Sequence, residues 1–178
     1  MKHCISLIGA PGSGKGTQAE NLSKELNIDI VSLGNIIRNE VSNNSAIGLK
    51  AKPYIESGDL VPDSIIIDMY EMHLKKYNNA VGVISDGFPR NKSQSEALDK
   101  IVNRSALKIL FFDISIETVK ERLLGRLSCK QCNAIYHIKN SPPKNNNICD
   151  SCGSELSQRS DDTEETIRSE EHTSELQS

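Results

Sequence analysis

The stretch ISLIGAPGSGKGTQAE, Ile5 to Glu20, sets a short apolar run directly against a loop that holds four glycines and one lysine. An apolar run without alternation is the pattern of a strand covered on both faces in a parallel sheet. Behind the loop, Ala19, Leu22 and Leu26 share one helical face. Gly9, Gly14 and Lys15 match G-x-x-x-x-G-K, the phosphate-binding loop. Glycines let the backbone turn its N–H groups inward around an anion, and the N-terminus of the following helix adds the positive end of its dipole. Lys15 is then placed to reach the outer phosphates. The common motif puts Ser or Thr directly after the lysine, whereas here Gly16 intervenes and Thr17 follows.

Length and composition limit what such a loop can serve. A chain of 178 residues suits one compact domain with a small insert. Hydrophobic residues are 37% and charged residues 25%, which is the globular class. Aromatics are only 4% and the net charge is −3, so the chain lacks both the stacking platforms and the basic surface that a nucleic-acid or anionic-membrane partner needs. The apolar run from Cys4 to Ala10 is too short for a secretory signal core. A cytoplasmic, reducing setting is therefore expected, with the cysteines as thiols.

LKILFFDI (Leu107 to Ile114), IDIVSL and AVGVISD read as three further strands. Ile66, Ile67, Tyr70 and Leu74 form a helical face, with Asp63 placed to cap that helix and Gly58 to stop the one before. Strands alternating with helices mean βαβ units. After a further cap, Ser115, the residues Ile116, Val119 and Leu123 make an apolar stripe. Arg122 and Arg126, four apart, are expected together on another side of the same helix.

From Cys129 to about Gln158 the composition shifts to Cys, Asn, Pro, Lys and Ser, which reads as a separate small insert. Cys129, Cys132, Cys149 and Cys152 form CxxC, sixteen residues, CxxC, a spacing suited to a zinc site. Four thiolates complete a tetrahedron without leaving a position for water, so the site is structural; iron takes the same ligand set. Metal binding supplies folding free energy directly to an insert with few apolar residues. Cys4 reads as a small core residue.

GAPGSGKGTQA resembles the phosphate loop of the adenylate kinases and their nucleoside-monophosphate kinase relatives. SLGNIIR (Ser32 to Arg38) is similar to that family's monophosphate-site segment. SDGFPRNKSQ (Ser85 to Gln94) is similar to its Asp-Gly-Phe-Pro-Arg segment, and QRSDD (Gln158 to Asp162) to the far end of its lid. The likeness covers about residues 4–168. It implies an α/β fold, a P-loop parallel sheet flanked by helices. The core would take residues 1–30 and 61–126, with a helical AMP-binding insert at 31–60 and a small zinc lid at 127–160. Residues 161–168 would start a C-terminal core helix. The implied activity is reversible transfer of the γ-phosphate of MgATP to AMP by a monomer, with Mg²⁺ and a structural Zn²⁺ as cofactors.

The resemblance also implies a site. Lys15, Arg90, Arg122, Arg126 and Arg159 would be catalytic. Gly12, Ser13, Gly14, Lys15, Gly16 and Thr17 would bind ATP with Arg122 and Arg126. Ser32, Leu33, Arg38, Gly58, Val61, Gly87, Arg90, Gln94 and Arg159 would bind AMP, and Asp86 would hold magnesium through waters. Physical reasoning agrees, because phosphoryl transfer demands positioning and neutralised charge more than covalent help. The family's AMP enzymes carry Gln where Gln94 stands and the UMP/CMP enzymes carry Asn, while Asn91 is familiar from the pyrimidine relatives. Leu33 replaces the usual Thr or Ser and Asn35 the usual Asp, although Asn35 can still cap the helix that carries Arg38.

Past DDTEETIR the family pattern continues into another arginine, a helix and a last sheet strand, but Glu170 stands where that arginine is expected. Residues 169–178 read as a non-native tail. The expectation is a chain lacking its last helix and strand, with an open sheet edge, uncovered apolar surface and little turnover. The rival readings are a kinase of another nucleoside monophosphate (UMP or CMP), an inactive nucleotide-binding fragment, and a zinc-ribbon binding module with an idle P-loop. GTP rather than ATP as donor also stays open.

Overall fold

The computed structural model describes residues 3–57, 59–77, 81–159 and 162. The chain divides into two compact units, Met1–Gly9 with Gly14–Phe112, and Ala10–Ser13 with Asp113–Ser178. The first holds a sheet of four parallel strands, β1 (His3–Gly9), β2 (Asp29–Ser32), β3 (Gly82–Asp86) and β4 (Leu107–Phe112), in the order β2-β3-β1-β4. All four lie on the apolar runs. Helices α1 (Lys15–Leu26), α2 (Leu33–Ser42), α3 (Ala46–Ser57), α4 (Asp63–Leu74) and α5 (Lys92–Ile101) fill the connections. The order reverses at β1 and β3, and ligands of open α/β sheets bind at the carboxyl ends of the strands at such a switch point.

Packing and hydrogen bonds in the core anchor the loop after β3. Tyr70 and Phe88 are fully buried and stacked, with ring centroids 4.0 Å apart; burying side chains of this size stabilises by about 1.5–3 kcal/mol each. The Tyr70 hydroxyl donates to Ser85 Oγ at 2.7 Å, and burial pushes its acidity down, which keeps it a neutral donor. Ser85 and Ser6 both donate to the Phe88 carbonyl, at 2.7 and 2.8 Å. β1 and β3 thereby grip the start of the Asp86–Arg90 segment.

Three expectations are corrected here. Leu26 does not share the buried face of Ala19, being 50% exposed, because Asn27 turns left-handed and ends α1. Pro62, not Asp63, is the N-cap of α4; the Asp63 carboxylate reaches across to α5 instead. β4 is not covered on both faces: it is the sheet's edge among the described residues, with Ile109, Leu110 and Phe111 exposed.

In the second unit, α6 (Ile116–Leu124) starts at Ser115, whose side chain accepts from Thr118 N as expected. Val119 and Leu123 pack with Ala10, Ile114 and Ile116. A small antiparallel sheet follows, in the order β6-β5-β7, from β5 (Arg126–Cys129), β6 (Ile135–His137) and β7 (Leu156–Ser157). α6 ends at Leu124 with Gly125 as its C-cap, so Arg126 opens β5 and does not share a helical side with Arg122. No helix among the described residues is long and apolar enough to cross a membrane. The expectations for Gly58 and for residues 163–178, including Glu170, lie outside the described residues.

Candidate active site and metal centre

In the first unit the loop after β1 passes through Gly14, whose left-handed backbone (φ 96°) is the N-cap of α1 and makes no side-chain cap bond. A helix N-terminus reached through glycines lets backbone donors face an anion. Lys15 Nζ donates to the Gly9 carbonyl at 2.6 Å, folded over its own loop, and Gly16 and Thr17 are exposed beside it. At the end of β3, half-buried Asp86 accepts from Ser32 Oγ at 3.0 Å. A single oriented carboxylate of this kind suits Mg²⁺, which keeps most of its waters.

Arg38 on α2 donates to Asn35 Oδ1 at 2.5 Å; Asn35 therefore holds the guanidinium and does not cap the helix, since the cap position is Ser32. Arg90 is exposed, with Nε donating to the Gly87 carbonyl at 3.0 Å. Gly87 has φ 76° and Val61 is half-buried. Leu33 lies in the core, 1% exposed. Gln94 is buried, its Oε1 accepting from Arg90 N at 2.9 Å and its Nε2 donating to Asp63 Oδ1 at 2.7 Å. Asn91 caps α5 through Gln94 N and donates to both Asp63 oxygens, at 3.0 and 3.1 Å. This position, familiar from pyrimidine enzymes, thus has a local structural task.

In the second unit the loop segment Ala10–Ser13 is held against α6. Gly12 has φ 77°, and a Cβ there would stand 2.9 Å from Leu123 Cγ, so only glycine fits this close approach. Arg122 Nη1 donates to the carbonyls of Gly12 and Ser13, at 3.4 and 3.2 Å. Arg126 forms a two-pronged ion pair with the buried Asp162, Nε to Oδ2 at 2.8 Å and Nη2 to Oδ1. Bidentate pairing of this kind fixes the guanidinium plane. Arg159 is half-buried just before that carboxylate. His137 takes both ring nitrogens into structure: Nδ1 accepts from the Lys139 and Asn140 amides, which leaves Nε2 to donate to the Glu121 carbonyl at 3.2 Å. Asp63 and Asp162 were not legible as partners, because sequence periodicity carries no signal for pairings across 31 and 36 residues.

The four cysteines do converge. Their sulfurs lie within 4.8 Å of one another, with Cys129–Cys152 at 3.4 Å and Cys132–Cys149 at 3.5 Å. A tetrahedral zinc with bonds near 2.3 Å separates its sulfurs by about 3.8 Å, so the set could hold a structural zinc. The two CxxC turns match: Asn133 N donates to the Cys129 carbonyl at 3.0 Å, and Gly153 N to the Cys149 carbonyl at 2.8 Å. Burial opposes ionisation of Cys149, but amides of Ser151 and Cys152 and the Tyr136 hydroxyl outweigh it and bring the thiol down to about 6. At Cys132 an amide from Ala134 favours the thiolate, yet the neighbouring sulfurs push it up to about 12. Cys152, hydrogen-bonded by Ser154 and next to the Cys129 sulfur, is shifted down as well, so Cys149 and Cys152 lean toward the thiolate that a divalent cation needs. Leu156, Leu127, Ala134 and Tyr136 surround Cys129 and Cys149, so the cysteine-bearing segment has a small apolar cluster that composition alone did not suggest. Cys4 is a fully buried core residue, its thiol pushed up to about 11 by burial.

A parallel sheet with a glycine loop after β1, arginines, and a carboxylate at the end of β3 defines a P-loop phosphotransferase. The family model for adenylate kinase matches residues 7–177. Adenylate kinases of Caldicellulosiruptor bescii and Carboxydothermus hydrogenoformans are 46% and 45% identical over 167 and 166 residues, each match covering 92% of this chain and 78% of the relative. That of Methanocella arvoryzae is 45% identical over 165 residues, 91% of this chain and 76% of the relative. The chain belongs to the adenylate kinase family.

Proposed function

We propose that this chain catalyses the reversible transfer of the γ-phosphate of MgATP to AMP, giving two ADP. The carrying observation is the match to adenylate kinases over most of the chain, joined to the glycine loop that leads through Gly14 into the start of α1. Residues Gly12–Thr17 bind the ATP phosphates through backbone N–H groups and Lys15. In this reading Lys15 exchanges the Gly9 carbonyl for a phosphate oxygen, a charge-assisted bond in place of a neutral one. Arg38 and Arg90 bind the AMP phosphate, beside Ser32, Leu33, Gly58, Val61, Gly87 and Gln94. Arg122, Arg126 and Arg159 neutralise charge that builds on the transferring group.

Asp86 would hold Mg²⁺, and the ion would supply neutralisation of phosphate charge. No base or nucleophile of the protein is needed, because the AMP phosphate itself attacks and the arrangement aligns it. The helical segment 31–60 serves as the AMP-binding insert, and 127–160 as a zinc lid that excludes water competing with AMP. The working form is a cytoplasmic monomer without nucleic-acid or membrane partners. Rates with AMP, UMP, CMP and GMP as acceptors, each with MgATP, test the assignment: AMP is expected to lead, and a faster rate with UMP or CMP would transfer the chain to the pyrimidine branch.

A further inference from the structure

Asp63 and Gln94 stand 31 residues apart, at the N-terminus of α4 and in the first turn of α5, and meet at 2.7 Å through Asp63 Oδ1 and Gln94 Nε2. On its other side Gln94 Oε1 accepts from Arg90 N at 2.9 Å. These two partners leave the carboxamide no second orientation. Turned over, its amino group would face the Arg90 N–H, donor against donor, and its carbonyl would face the Asp63 carboxylate, acceptor against acceptor. Gln94 is only 4% exposed, so water cannot replace either lost partner, and an unmatched buried polar group is costly. Asn91 donates to both oxygens of Asp63 and accepts from Gln94 N, which fixes the carboxylate that fixes the amide.

We infer that Asp63 is a positioning residue for acceptor-base discrimination: it locks the polarity of the Gln94 amide, so that the site reads adenine and rejects a 6-oxopurine. The inference rests on the AMP-kinase reading and deepens it. A carboxamide presents a donor beside an acceptor, and adenine answers with N1 as acceptor beside its N6 amino donor. Hypoxanthine, of nearly the same shape, reverses the pair, with N1–H as donor and O6 as acceptor. A freely turning amide serves both bases, whereas a locked one serves one. The Asp63 carboxylate touches no reacting atom in this scheme.

The test compares AMP with IMP as acceptors for the whole chain and for Asp63→Asn and Asp63→Ala, by kcat/KM and by calorimetric binding. A good bidentate base contact discriminates by on the order of tenfold to a hundredfold. Asp63→Ala, which removes the acceptor, is expected to lose about tenfold of the AMP-over-IMP ratio with the KM for ATP unchanged, whereas Asp63→Asn, whose Oδ1 can still accept from Gln94 Nε2, is expected to keep most of it, a split that general loosening of the fold does not give. An unchanged ratio in folded Asp63→Ala overturns the inference. Absence of AMP-dependent ADP formation by the unmutated chain would instead defeat the kinase reading. The binding ratio, which needs no turnover, then decides the role of Asp63, and an unchanged binding ratio or no AMP binding at all would count against it.

Discussion

Gly48, inside α3, has no room for a side chain: a Cβ built on it would lie 2.0 Å from the Glu40 carbonyl oxygen on α2. Helix preference alone favours Gly48→Ala by about 1 kcal/mol. The clash is with backbone, so α2 and α3 would have to part, and overpacking of this kind costs about 1–3 kcal/mol. The expected result is a net loss of stability in denaturant titration; a stabilised variant would show that the two helices do not approach so closely. The residue scale is also where sequence reading was least complete. Lys15, Asp86 and the four cysteines were legible because a local motif or spacing names them. Asp63 was read as a cap since Asp often caps, and Arg126 as helical since it follows Arg122 by four. Gly125 breaks that period, and Asp162, 36 residues on, claims the guanidinium.

Elements were more legible than their partners. The four strands of the sheet stand on apolar runs, because parallel strands are covered by their crossover helices and need no polar face. Where that cover is missing, at β4, the same apolar run gave the right element and the wrong burial. The small sheet β5–β7 gave no apolar period, its strands being only two to four residues long. What organises this element is the cysteine cluster at 3.4–3.5 Å. Chelation, or Cys132→Ser, is therefore expected to expose residues 127–157 to protease while leaving the cooperative melting of the four-stranded sheet nearly unchanged. Elemental analysis should find one metal per chain and identify it. Equal protection of residues 127–157 without metal would mean that Leu156, Tyr136 and their neighbours suffice.

At the scale of the whole molecule, the acidic, aromatic-poor composition and the fold agree on a small-ligand enzyme. The open face of β4, at the sheet's edge among the described residues, matches the open edge and uncovered apolar surface that the sequence pattern leads one to expect. Ile109, Leu110 and Phe111 are 55%, 42% and 69% exposed on an edge strand, an arrangement prone to edge-to-edge association. Phe111→Lys should lower light scattering at high protein concentration without changing nucleotide binding, and scattering that is unaffected would show the edge to be protected. The central claim concerns phosphoryl transfer, and its most direct measurement is ADP formation from MgATP and AMP by this chain beside Lys15→Met. The account predicts ADP that depends on AMP and falls at least about a hundredfold in the variant. Equal rates with and without Lys15, or ADP formed without AMP, would contradict it.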